Sequence, residues 1–276
     1  MKFRVALAAA LLVAGCSTVR LVYDNAEVYL RWWMGAYLDA HDAMADELDE
    51  RIAGFMAWHR AQELPKYAQF ADEASRRFER RLQPADLVWA YDAGVALARE
   101  GLRAAAERLA PLLDRLAPEQ IDHLERRMAE DNRRFARANL RGSERERRRR
   151  RTERNVERLE DWVGKLSQAQ IERIAQYSER APLLDEFRDR EHRRLQAEML
   201  AMLRAKQARK RLPELAADWE RGREPAYAAA YEAARREYFA MALDLDRSLS
   251  AKQRALAVER LRRYADDFRA LAAVRR

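Results

Sequence analysis

The sequence predicts an all-α protein, an irregular bundle of long amphipathic helices, with an elongated arrangement left open. Three observations predict it. Val, Ile and Thr number 11, 4 and 2 among 276 residues, too few to furnish a sizeable sheet. Ala, Leu, Arg and Glu dominate, and these favour helix. From Leu21 onward, apolar residues recur at spacings of three and four rather than two. A single Cys and the lack of a second long apolar run exclude a disulfide-knotted or polytopic membrane protein.

The amino terminus comes first. Lys2 and Arg4 precede an apolar run from Val5 to Ala14, and Val13-Ala14-Gly15-Cys16 follows. This reads as a secretory signal ending in a lipobox: a short apolar helix for export, small residues for the peptidase groove, and a thiol to acylate. Cleavage between Gly15 and Cys16 would remove residues 1–15 and leave 16–276 as a lipid-anchored body. Three acyl chains, palmitate among them, hold a protein almost irreversibly, because each buried CH₂ adds about 0.8 kcal/mol. The alternatives are an ordinary signal with a coincidental Cys, or a single-pass anchor. The apolar stretch is too short for a bilayer of roughly 30 Å, and the lone Cys sits at the cleavage position. Resemblance to bacterial lipoproteins adds an address: Ser17, rather than Asp, follows Cys16, which implies the outer membrane with the body facing the periplasm.

The next segment is dense in aromatics, with Tyr23, Tyr29, Trp32, Trp33 and Tyr37. An interfacial belt beside the anchor is one reading. Core packing is the preferred one, as it is for Trp58, Trp89, Trp162 and Trp219. Helix starts then share one grammar, Leu followed by a cap and an acceptor. Leu38-Asp39-Ala40-His41-Asp42 and Leu82-Gln83-Pro84-Ala85-Asp86 are loose versions. Leu116-Ala117-Pro118-Glu119-Gln120 puts Pro at the first helical position. Ser167-Gln168-Ala169-Gln170 and Ser250-Ala251-Lys252-Gln253 are full capping boxes. The Leu residues fall at 38, 82, 116, 166 and 249, so no fixed period supports a solenoid.

Between these starts lie the predicted stripes. The first is Leu87, Tyr91, Val95, Ala98, Leu102, Ala105 and Leu109; then come Ile121, Leu124, Met128 and Phe135. Leu184, Phe187, Leu195, Met199 and Met202 form the third, and Leu256, Leu261, Tyr264, Phe268 and Leu271 the last. Pro65, Pro111, Pro182, Pro213 and Pro225 mark further turns or helix starts. Gly142-Ser143 supplies a break, with a hinge expected near 141–154.

The basic residues are 48 Arg and 6 Lys, an imbalance that argues against reading each Arg as functional. Without Lys2 and Arg4, 52 basic residues face 46 acidic ones, a surplus of +6. The one charge run is Arg145, Arg147, Arg148, Arg149, Arg150, Arg151 and Arg154. It could grip anionic glycolipid, phospholipid headgroups or an acidic partner. The preferred reading is a solvated helix whose Arg residues pair with Glu144, Glu146, Glu153 and Glu157. Nucleic acid is disfavoured by compartment.

Catalytic chemistry finds little support. His41, His59, His123 and His192 form no metal motif, although an enzyme would need a pocket gathering His59 or His123 with carboxylates. No nucleophile elbow or phosphate-cradling loop is present. No catalytic residue, metal or cofactor is expected.

The lipobox followed by Thr18-Val19-Arg20-Leu21-Val22-Tyr23-Asp24-Asn25-Ala26 resembles a family of Gram-negative lipoproteins of unknown function. Trp58-His59-Arg60-Ala61-Gln62-Glu63-Leu64-Pro65-Lys66-Tyr67 is similar to a second block of that family. The resemblance implies a helical body behind an anchor, and no activity. Leu166, Gln170, Leu249 and Gln253, with Ser167 and Ser250 in place of Thr, resemble the helix-start signature of Spy-type periplasmic chaperones. This chain is longer and has two good copies, so shared capping physics is preferred to shared function. Two functions are expected in order: an envelope interaction or scaffold protein, binding another envelope protein, lipid or peptidoglycan; and a chaperone-like binder of unfolded clients.

Overall fold

The computed structural model describes residues 18–274. The expected signal segment, with Gly15 and Cys16, lies outside the described residues. Among the described residues every regular element is helical, so the protein is all-α. The helices are α1 (Thr18–Leu38), α2 (Asp42–Trp58), α3 (Leu64–Phe78), α4 (Pro84–Leu113), α5 (Pro118–Asn139), α6 (Glu144–Val163), α7 (Gln168–Arg180), α8 (Asp185–Arg204), α9 (Ala208–Ala217), α10 (Pro225–Ser248) and α11 (Ala251–Ala273). A π-helical turn, His59–Glu63, joins α2 to α3.

Consecutive helices pack as hairpins in α1–α2 and α6–α7, while the most extensive packing joins α3 to α11 and α4 to α9. The turns between consecutive helices are built by the predicted caps. Ser167 and Ser250 accept from the amides of Gln170 and Gln253, and each glutamine returns a bond to its cap's amide, at 2.9 and 3.0 Å. Ala117 and Gln83 lack a capping hydroxyl, yet Gln120 and Asp86 still accept from their amides. A further box, Ser143 with Glu146, starts α6. The loosest predicted start fails as a cap, since His41 makes no side-chain cap and α2 begins at Asp42 with φ 51°.

The capping glutamines also tie turns together. Gln170 and Gln253 exchange side-chain bonds of 3.2 and 3.1 Å, and Gln253 reaches the carbonyl of Lys165 in the facing turn. Gln120 likewise donates to the carbonyl of Asp39 in the α1–α2 turn. Each turn therefore uses one amide side chain both to close itself and to dock on its neighbour.

Two large apolar cores and a small third cluster of Leu184, Tyr227 and Ala234 result. The first gathers Leu38, Leu48, Ile52, Leu112, Leu116, Leu124, Met202 and Leu212 from α1, α2, α4, α5, α8 and α9. The second gathers Val163, Leu166, Ile174, Met241, Leu245 and Ala257 from α6, α7, α10 and α11. Along α3 and α11, buried Ala68, Ala71, Ser75, Ala257 and Ala265 are small enough for two backbones to approach closely. Asp114 caps α9 from outside that helix, accepting from the amides of Ala208 and Arg209 at 2.5 and 3.1 Å, so a carboxylate meets a helix N-terminus.

Several expectations are corrected. Pro111 and Pro213 lie inside α4 and α9 instead of marking turns. The carbonyls they leave without an amide belong to Glu107 and Arg209, both exposed, where water can serve them. On α4, Leu102 is 51% exposed and Ala98 is exposed too, while Ala104, Ala106 and Ala110 are buried. That helix touches different neighbours along its length, so no single stripe describes it. Of the 141–154 segment, all but the first three residues belong to α6. Gly142, at φ +89°, makes the break: a Cβ there would stand 2.7 Å from a Glu146 carboxylate oxygen.

Candidate functional site

Pro65 has no amide proton, so the helix entering it cannot keep its regular bonds; the amide of Leu64 reaches back to His59 instead, forming the π-turn. The turn buries a polar cluster. Glu63 is fully buried, with Oε1 accepting from Lys66 at 2.8 Å and Oε2 without a partner among the described residues. Burial drives His59 down to about 4, with the Arg60 charge adding to the effect. His59 is thus neutral near pH 7, and its Nδ1 shares a hydrogen bond of 2.9 Å with the Tyr23 hydroxyl. Burial raises Tyr23 to about 12. His123 binds the carbonyl of Ala36. Neither histidine lines any of the chambers described below. Among the described residues no group of three or more His, Cys, Asp or Glu could hold a metal ion.

The Arg run divides by helical position. Arg148 and Arg151 point at the end of α7 and donate to the carbonyls of Ser178, Glu179, Ala181 and Pro182. These include the orphan acceptors at that helix's end, so two cations stabilise the negative pole of α7. Arg147 pairs with Glu186 at 3.0 Å, Arg148 with Glu144 at 2.6 Å and Arg149 with Glu153 at 3.6 Å. Arg150 donates to the carbonyl of Arg141. Glu146 serves its capping box. Arg145 and Arg149 border a shallow hollow beside Glu153 and Glu179.

The rest of the run faces a groove. Arg151, Arg154, Asn155 and Arg158 are spaced to share one face of α6. With Arg188 of α8, Tyr177 of α7 and Tyr238 of α10 they line a chamber of about 360 Å³. Arg151 lies with its Cζ 5.4 Å from the Tyr177 ring centroid, and burial lowers its pKa. Burial raises Tyr177 and Tyr238. Tyr177, Leu184, Arg188, Ala234 and Tyr238 also wall a second chamber of about 390 Å³, completed by Leu87, Tyr91, Tyr231 and Phe239. There the Tyr91 and Tyr231 hydroxyls meet at 3.3 Å, and burial followed by that bond pushes Tyr231 up to about 12. Sequence reasoning reached Arg151 and Arg154. It missed Arg158, Arg188, Tyr177 and Tyr238, which come from four helices.

A second surface lies on α1. Its inner side, with Tyr23, Ala26, Leu30, Met34 and Tyr37, packs on the first core. Its outer side exposes Leu21 (62%), Val28 (67%), Tyr29 (57%) and Trp32 (67%). The preferred core placement of Tyr29, Trp32 and Trp33 is therefore corrected: the core takes one stripe of α1, and these residues stand on another. No helix among the described residues is long and apolar enough to cross a membrane.

No curated protein and no solved structure matches the chain. Residues 36–227 match a family of unknown function, DUF6279. That stretch runs from the end of α1 to the start of α10 and holds the π-turn, the Arg run and most of the groove, so the chain belongs to the DUF6279 family.

Proposed function

We propose that this protein is an outer-membrane lipoprotein, cleaved before Cys16, whose helical body faces the periplasm and serves as an envelope interaction or scaffold protein without catalytic chemistry. The observation that carries this reading is the exposed apolar side of α1. It begins at Leu21, directly behind the lipobox, and runs through Val28 and Tyr29 to Trp32. A helix apolar on two sides needs two covers. The first core supplies one, and a bilayer held beside it by acyl chains supplies the other, with Tyr and Trp at headgroup level. The rest of the body then projects from the membrane, presenting the groove and the charged helix faces to partners.

A chaperone-like role is the second reading, favoured by a groove that is both cationic and apolar. Its chambers, at about 360 and 390 Å³, have small-ligand dimensions. Cell fractionation with fatty-acid labelling tests the address: the native chain should label and sediment with outer membrane, and Cys16→Ala should do neither. A Cys16→Ala chain that still labels and stays membrane-bound overturns the reading. Crosslinking in intact cells then separates the roles, since a recurrent envelope partner supports the scaffold and a broad spectrum of unfolded clients supports the chaperone.

A further inference from the structure

Most arginines on this surface have a carboxylate close by, as Arg20 has Asp267, Arg77 has Asp86, Arg173 has Asp244 and Arg194 has Glu191. The groove is different. Arg151, Arg154 and Arg158 form no ion pair among the described residues, and Arg188 has only Asp185, at 3.9 Å. Arg151 is held in place by carbonyls and the Tyr177 ring, and its Nε is buried with no hydrogen-bond partner. Four guanidinium groups thus face one carboxylate inside a single recess. Such a balance leaves charge for a dianionic group, and a phosphate monoester carries roughly −1.5 to −2 near neutral pH. Guanidinium forks also match phosphate oxygens two at a time.

The recess does not end at the arginines. Across the shared lining of Tyr177, Leu184, Arg188, Ala234 and Tyr238 it adjoins the aromatic chamber. Leu87 and Tyr238 border a further apolar space of about 200 Å³ that reaches Val163 and Met241 of the second core. A charged head chamber therefore continues into an apolar tail path. We propose that this groove binds a single-chain amphiphile with a phosphate monoester headgroup, the phosphate gripped by Arg151, Arg154, Arg158 and Arg188 and the acyl chain lying between α4 and α10. The groove stands independently of the membrane address, because none of its residues belongs to α1.

The test uses the full lipidated chain in phosphatidylcholine nanodiscs and an oleoyl lysophosphatidate carrying a photoreactive diazirine on its chain. Crosslinks should map to residues 87–91 and 231–239. They should fall at least tenfold in Arg154→Glu with Arg158→Glu, two exposed positions whose change leaves the thermal unfolding of the body intact. Ala90→Trp, which fills the tail chamber, should abolish crosslinking while unlabelled inorganic phosphate still protects Arg154 from a guanidine-specific reagent. Lysophosphatidylcholine should compete at least tenfold less well than lysophosphatidate. Equal competition by oleate would overturn the phosphate assignment, and equal competition by inorganic phosphate would overturn the tail path. Crosslinks scattered over the surface, or unchanged by the paired charge reversal, would overturn the site.

Discussion

The two cores are made of the same kind of helix and close differently. Around the first, Leu48, Leu112, Leu116, Met202 and Leu203 are at most 1% exposed, and alanines at 106, 110 and 208 let their helices approach. Beside the second, where α4, α7, α8 and α10 meet, Tyr91, Tyr177, Tyr231, Tyr238 and Phe239 line the contact, and chambers remain between the helices. Small residues at crossings produce a dry interior; rings and guanidinium groups at crossings produce a recess. The contrast teaches that in this chain the size of the residues between helices, more than their hydrophobic pattern, decides where a ligand can enter.

The largest expected effect breaks the dry side. Leu112→Ala should cost about 3–5 kcal/mol, because its tight neighbours cannot collapse onto the void, while Leu87→Ala beside the chambers should cost about half that or less. Urea unfolding of both variants checks this, and equal losses would erase the distinction between the cores. Next is Asp86→Asn. Asp86 is buried beneath Arg77 and Arg80 and accepts from the amide of Gln83; these partners, Arg80 foremost, lower it to about 2. A depressed carboxylate stabilises the fold above its ordinary range, and that contribution is lost as pH falls toward 2. The variant should lose about 2 kcal/mol at neutral pH and show a flatter acid limb.

His59 sharpens the comparison from the dry side. Neutral in the fold down to about 4, it favours the folded state above its ordinary range near 6.5, and that preference fades as pH falls from there toward 4. His59→Phe should remove this slope, read from melting temperatures at pH 7, 5.5 and 4.5. The smallest effect concerns the turns: a double-mutant cycle on Gln170→Ala and Gln253→Ala should show a coupling of about 1 kcal/mol. Additive losses would mean that each glutamine serves only its own cap.

Much of this fold is written locally. Ser167, Ser250 and the glutamines behind them announce their turns, and Ile121, Leu124 and Met128 announce their buried face. Ser143 and Glu146 carried the same signal and were overshadowed by the arginines around them. The groove is less legible. Arg151, Arg154 and Arg158 share a spacing, but nothing in the sequence connects them to Arg188 or Tyr238, which arrive on other helices. The outer face of α1 was equally hidden, since an apolar residue reads alike whether a core or something else covers it. Pro65 predicted a helix start; that it would force a π-turn burying Glu63 depended on the helix continuing through it.

The contacts between the chain's two ends bear on the order in which the body can be completed. Arg20 bonds Asp267 across 247 residues of sequence, Arg60 reaches the carbonyl of Leu271, and α11 lies along α3. α1, the π-turn and α3 are thus sealed by a helix synthesised well after them. Until α11 arrives, the alanine seam of α3 lies uncovered, and a nascent or truncated chain offers that seam to whatever it meets, so surveillance by folding helpers and proteases falls on the part that holds α1 to α3.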